Sequence, residues 1–139
     1  VKYFGLGPDV NLPDYKEHTF NGIFETTVDN LKEDYIKPQE SATRCDTRFA
    51  EITDKDGFGL RFNAINNPFI FSASHYTSNQ WAKAMHREEL VDMPTTCVNL
   101  DAAVLGAGSN ACGPLPNKND RVGSLNGKKL SFTIQPIGD

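Results

Sequence analysis

Histidine, cysteine and carboxylate side chains are where this sequence could hold chemistry, and their spacing decides which kind. His18, His75 and His86 stand far apart. None forms the i, i+2 or i, i+4 pair that puts two imidazoles on one side of a strand or helix for a metal ion, so structural or surface roles are expected. His86 has Glu89 three residues on, an ordinary ion-pair spacing on a helix. Asp54-Lys55-Asp56-Gly57 opens like a calcium loop, but the twelfth position would be Ile65, where a bidentate glutamate is needed. A hairpin turn is the better reading. Asp46 lies between Arg44 and Arg48, on one face of a strand, which suggests a structural ion ladder more than a proton donor. Glycoside hydrolysis would need two carboxyls facing each other across a sugar, and sequence alone pairs none of these acids. No nucleophile elbow and no local Cys-His signature is present. Gly106-Ala107-Gly108-Ser109-Asn110-Ala111 lacks the third glycine and following helix of a dinucleotide fingerprint. The Gly/Pro/Asn-rich stretch 106–116 is the place where a loop would meet a ligand.

The elements that must position these residues read as β throughout. Val1 to Leu6 is expected to be a strand ending at Gly7-Pro8, followed by a polar loop with Pro13 and a second strand over about Thr19 to Val28. Residues 29–34 are expected to form a short turn or one helical turn. Residues 43–53 alternate, with Arg44, Asp46 and Arg48 on one face and Cys45, Thr47 and Phe49 on the other, the period of a single strand. After the turn at 54–57, Phe58, Leu60, Phe62 and Ala64 line one face of the return strand. Phe69 to Ala73 is a continuous apolar run suited to a strand covered on both faces. One helix is expected, from Ser78 to about Glu89, with Trp81, Ala82, Met85 and Glu89 near one side and Thr77 with Gln80 as a capping box. Thr95 to Leu100 and Lys129 to Pro136 return to β character, with Leu130, Phe132 and Ile134 facing one way.

Composition narrows the partners. The 139 residues suffice for one domain, and 9 Phe, 4 Tyr and 1 Trp supply buryable surface that disordered chains lack. With 18 acidic against 14 basic side chains the net charge is −4, which leaves no basic stripe for phosphates and makes nucleic acid a poor partner. No window approaches the roughly 18 apolar residues of a membrane span. Cys45, Cys97 and Cys112 are odd in number and widely spaced, which fits neither a disulfide framework nor a zinc site and points to a reducing, cytoplasmic compartment. The chain begins with Val, inside what reads as a strand, and a segment of a longer protein is the expectation.

Five blocks then carry a specific resemblance. Gly5-Leu6-Gly7-Pro8 through Asn11, Pro13, Asp14 and Lys16 resembles the G-x-G-P-x-E-N-Y-x-D-R-K run of the large β-galactosidases of glycoside hydrolase family 2. Pro38-Gln39-Glu40 followed by Arg44, Asp46, Arg48 and Phe49 is similar to that family's P-Q-E-N-G-x-R-x-D-V-R-W. Phe71-Ser72-Ala73 with Tyr76-Thr77, and Ala84, His86, Glu89 and Leu90, resemble F-S-A-x-x-Y-T and A-x-H-x-x-E-L. Asn99 and Asp101, with Gly106, Gly108, Cys112 and Pro114, resemble V-N-x-D and the G-x-G-x-x-S-C-G-P ending. Val10, Leu12, Tyr15, Ser41-Ala42 and Val104 depart from the family's Glu, Tyr, Arg, Asn-Gly and Gln.

The resemblance implies an all-β supersandwich of the galactose-mutarotase-like type with one short helix, residues 1–139 being the C-terminal half of the small-chain domain. It implies a non-catalytic segment of an enzyme that hydrolyses terminal β-D-galactosides such as lactose. The catalytic glutamates and the magnesium ligands would lie in a barrel outside this chain, leaving no cofactor and no metal site in it. The remaining domains of the parent and the β-galactoside substrate are the expected partners, and a second copy of the chain, as in a homo-oligomer, is another way to cover open sheet edges. Gly108, Asn110 and Cys112 are expected to lie near substrate, Cys112 standing where some members carry a tryptophan platform. An autonomous carbohydrate-binding β-sandwich is the alternative, and a mutarotase-type epimerase, needing a His–Glu acid/base pair, is supported by fold analogy alone.

Overall fold

A computed structural model describes residues 1–106, 115–124 and 127–138. Its strands are β1 (Lys2–Gly7), β2 (Phe20–Glu25), β3 (Arg44–Thr47), β4 (Phe49–Thr53), β5 (Gly59–Ala64), β6 (Phe69–Ser74), β7 (Cys97–Asp101) and β8 (Phe132–Ile137), with one helix, α1 (Ser78–Lys83). A five-stranded sheet runs β2-β1-β4-β5-β8 and a three-stranded sheet runs β3-β6-β7. Every pairing is antiparallel. The all-β expectation with one short helix therefore holds.

The sheets close on each other through the side chains that alternation assigns to the inner face. Tyr3, Ala50 and Phe62 from the larger sheet meet Phe69, Phe71 and Ala73 from the smaller, with Leu31 and Ala42 filling the rim. Tyr3 and Phe71 stack across the interface with ring centroids 6.2 Å apart. β6 is buried along nearly its whole length, as its continuous apolar run predicts. The smaller sheet does not cover the larger one completely. Leu60 is 44% and Ile134 is 55% exposed, although each shares the inner face of its strand with Phe62 or its register partner.

Two expectations need correction. The strand read over 43–53 is two strands in different sheets. Asp46 takes φ +53° and the β3–β6 register shifts between Arg44 and Thr47, so both Arg44 and Cys45 are buried and alternation is lost. The chain changes sheet at Arg48, whose N–H donates to Phe4 O at 2.7 Å while its carbonyl accepts from Ala64 N at 2.8 Å. The expected ion ladder of Arg44, Asp46 and Arg48 therefore does not form. Asp46 instead faces Lys16 at 3.8 Å. An alternating row of charge does exist elsewhere, where register aligns Glu25, Lys2, Glu51 and Arg61 across β2, β1, β4 and β5, with Lys2–Glu25 at 2.8 Å and Glu51 paired to Arg61.

The helix is the second correction. Thr77 caps it as expected, its Oγ1 accepting from Gln80 N at 3.2 Å, but the chain turns extended at Ala84 and Arg87–Glu89 is a separate 3-10 turn. The Glu89 carboxylate accepts from Met85 N and pairs with His86 Nδ1, both at 2.9 Å. That satisfies locally an N–H that a longer helix would have bonded to its own backbone. The expected His86–Glu89 pair is present, though not on a helix.

Candidate functional site

The segment after β1 is built around one asparagine. Asn11 is wholly buried; its Nδ2 donates to Leu6 O at 3.1 Å and Asp9 O at 3.0 Å, and its Oδ1 accepts from Cys45 N at 2.7 Å. Every donor and acceptor so placed ties the loop to β1 and β3, which is how a buried amide becomes structural. The next four residues form a tight turn closed by Leu12 N to Tyr15 O at 3.0 Å and Tyr15 N to Leu12 O at 2.9 Å. Pro13 and Asp14 take its central positions, where a fixed φ and a short polar side chain are favoured.

The turn delivers Asp14 onto Gly106. A Cβ at residue 106 would overlap the Asp14 carboxyl group, so any larger residue there requires that carboxyl to move. Both Asp14 oxygens are shut off from solvent and meet no hydrogen-bond donor among the described residues. On its other side Gly106 is held by its own N–H, which donates to Asp120 O at 3.2 Å. The start of the 106–116 stretch is thus fixed between the Pro13-Asp14 turn and the 3-10 turn Lys118–Asp120.

Beside this stem runs an open groove of about 190 Å³, lined by Pro13, Ile70, Val104, Asp120, Arg121 and Lys128 among others. Arg121 Nε donates to Pro116 O at 2.6 Å, which fixes the second limb of the stretch. At the end of β7, burial pushes the Asp101 carboxyl above the ordinary aspartate range, and the charge of Glu40 adds to the rise.

Of the residues expected from sequence, Gly108, Asn110 and Cys112 lie outside the described residues, and Gly106, their stem, is in place. Asp14, which sequence reasoning did not single out as a site residue, is brought to that stem by the fold. Its signal was the Pro-Asp pair inside the first family-like block. Trp81 is 9% exposed and meets Tyr76 edge-on with centroids 5.0 Å apart, so its ring is packed and offers no stacking platform. Cys45 and Cys97 are unpaired thiols. Among the described residues no three His, Cys, Asp or Glu side chains are grouped as ligands. No helix there is long and apolar enough to cross a membrane.

Comparison with known proteins adds a family. The family model for the beta galactosidase small chain matches residues 1–135. A beta-galactosidase of Streptococcus thermophilus is 30% identical over 138 residues, covering 99% of this chain and 14% of the relative. That of Staphylococcus xylosus is 34% identical over 134 residues, 96% of this chain and 13% of the relative. That of Vibrio cholerae is 36% identical over 110 residues, 79% of this chain and 10% of the relative. The chain spans only these small fractions of the curated relatives it matches.

Proposed function

Because the chain belongs to the beta-galactosidase small-chain family, we propose that it is a non-catalytic segment of a β-galactosidase acting on terminal β-D-galactosides such as lactose. Its role is to form part of the substrate pocket wall through the stretch that starts at Gly106, and to support assembly with the remaining domains of the parent. The observation that carries this reading is the family match over residues 1–135 by a chain spanning 10–14% of its relatives. On this reading the two catalytic glutamates and the magnesium site lie in the rest of the parent, and Gly108, Asn110 and Cys112 face the substrate.

The sandwich supports a wall more than a complete enzyme. Several carboxylates are engaged in ordinary structural pairs: Glu25 with Lys2, Glu51 with Arg61, and Asp34 with Lys32 and Arg87. The half-covered inner face at Leu60 and Ile134 suits burial by further polypeptide, since contiguous exposed apolar surface marks a contact region. Stacking of sugars on Trp81, which the carbohydrate-binding alternative would favour, is opposed by its burial.

The test is deletion of residues 106–114 from the full-length polypeptide. Hydrolysis of a nitrophenyl β-galactoside is expected to lose about tenfold or more in kcat/KM, about 1.4 kcal/mol of transition-state stabilisation. Unchanged kinetics in a folded deletion variant would reject the pocket-wall role. Saturable binding of lactose to the chain by itself, read by calorimetry, would instead favour the carbohydrate-binding module.

A further inference from the structure

We infer that the outer face of the five-stranded sheet docks a second copy of this chain, the two copies related by a twofold axis that runs parallel to the strands between β1 and β4. This goes beyond the pocket-wall reading and does not rest on it.

Tyr3, Phe24, Ala50 and Phe62 face the core, so the residues that alternate with them point outward. Register sorts these outward side chains into rows. One row runs Glu25, Lys2, Glu51, Arg61 across β2, β1, β4 and β5, and the next runs Ile23, Phe4, Phe49, Asn63 across the same strands. Phe4 and Phe49 meet with ring centroids 6.3 Å apart. Each lies under a guanidinium, Arg48 at 5.1 Å from the Phe4 centroid and Arg61 at 3.9 Å from that of Phe49. Ile23 beside them is 62% exposed. Within one copy Lys2 pairs with Glu25 and Glu51 with Arg61, so a docked copy would extend two existing pairs into a network instead of burying isolated ions.

The order of the charges selects the partner. Across the four strands the signs run minus, plus, minus, plus, and reversing the row inverts the sign at every position. A twofold axis along the strands turns the row end for end. Glu25 of one copy then faces Arg61 of the other, and Lys2 faces Glu51, so all four contacts join opposite charges. The same operation sets Phe4 against Phe49 and Ile23 against Asn63, which places the aromatic rings at the centre with the charged row beside them. An axis along the row would set Glu25 on Glu25 and Lys2 on Lys2, which repulsion between like charges rejects. A patch that complements itself in this way is what an isologous contact requires. Four strands about 4.8 Å apart and about 20 Å long make a face of roughly 400 Å², the size of a weak, reversible interface.

The experiment is sedimentation velocity of the full-length polypeptide over a concentration series, with circular dichroism to verify folding. The wild type is expected to self-associate, more weakly as salt screens the row. Glu25→Lys sets cations together at both ends of the row and Arg61→Glu sets carboxylates together there, so each is expected to weaken self-association about tenfold or more. In a polypeptide that also associates through other surfaces, each variant is expected to drop to the next smaller assembly. An equimolar mixture of the two variants is expected to regain wild-type association, because every facing pair is then of opposite sign. If Arg61→Glu does not fold, Lys2→Glu mixed with Glu51→Lys makes the same comparison. Single variants that associate like the wild type would overturn the inference, as would a mixture no stronger than its components or a wild type that is monomeric throughout. A monomer in which Ile23→Cys resists maleimide, read at its own peptide by mass spectrometry, would overturn it in favour of another domain of the parent seated on this face.

Discussion

Arg44 Nε donates to Tyr3 Oη at 3.1 Å inside the sandwich, joining β3 to β1 across 41 positions of sequence. Arg44 is 2% exposed, and its remaining nitrogens donate to Thr43 O at 3.1 Å and Leu31 O at 3.2 Å. No carboxylate pairs with it among the described residues, so neutral acceptors alone solvate the guanidinium. Tyr3→Phe leaves one charged donor unsatisfied in the core and is expected to cost about 1–3 kcal/mol. The measurement is the urea midpoint of unfolding. An unchanged midpoint would mean that water replaces the hydroxyl.

Alkaline pH should weaken the protein through Cys45. Burial, with a smaller contribution from the Asp46 charge, pushes this thiol from 9.0 to about 11. The unfolded chain releases its proton near pH 9 while the folded chain holds it to about pH 11. Stability from this group is complete below pH 9 and falls as pH rises across that window. Cys45→Ala should flatten the decline in unfolding midpoint between pH 9 and 11. An identical slope in the variant would remove Cys45 as its source.

Trp81 separates packing from hydrogen bonding. Its ring is buried against Tyr76, and its indole N–H has no acceptor among the described residues. Trp81→Ala is expected to cost about 3–5 kcal/mol through the cavity it leaves. Trp81→Phe keeps most of the ring and gives up no hydrogen bond, so a loss under about 2 kcal/mol is expected. Equal losses in chemical denaturation would show that the N–H has a partner.

The β4–β5 hairpin offers a test of backbone conformation alone. Gly57 has φ +87° and open space where a Cβ would go. Asp54 Oδ1 accepts from Asp56 N at 2.9 Å and Phe58 N at 3.0 Å, which sets the turn. Gly57→Ala meets no atom and strains only φ, at an expected cost of about 1 kcal/mol. Calorimetry that finds Gly57→Ala neutral or stabilising would show that the turn can rearrange.

Local signals in the sequence suffice where a few neighbouring residues decide the outcome. Asp54 and Gly57 make their turn within five residues, Thr77 caps its helix from three residues away, and β6 is buried as its apolar run requires. The helix is shorter than periodicity over 78–89 predicts, because periodicity does not reveal that Glu89 takes the Met85 N–H with its own side chain. Alternation over 43–53 predicts one strand because it does not show the positive φ at Asp46 or the change of sheet at Arg48.

What the sequence determined by itself was the β class, the principal turns and, through five ordered blocks, the family. Only the tertiary structure decided that Arg44 lies in the core, that the charge row runs through Glu25, Lys2, Glu51 and Arg61, and that Asp14 meets Gly106. The physical reason is range. Hydrophobic period and turn chemistry act over a few residues, whereas the partner of a buried polar group is set by sheet register and crossover, which bring together residues 41 or 92 positions apart only when the whole sandwich has closed.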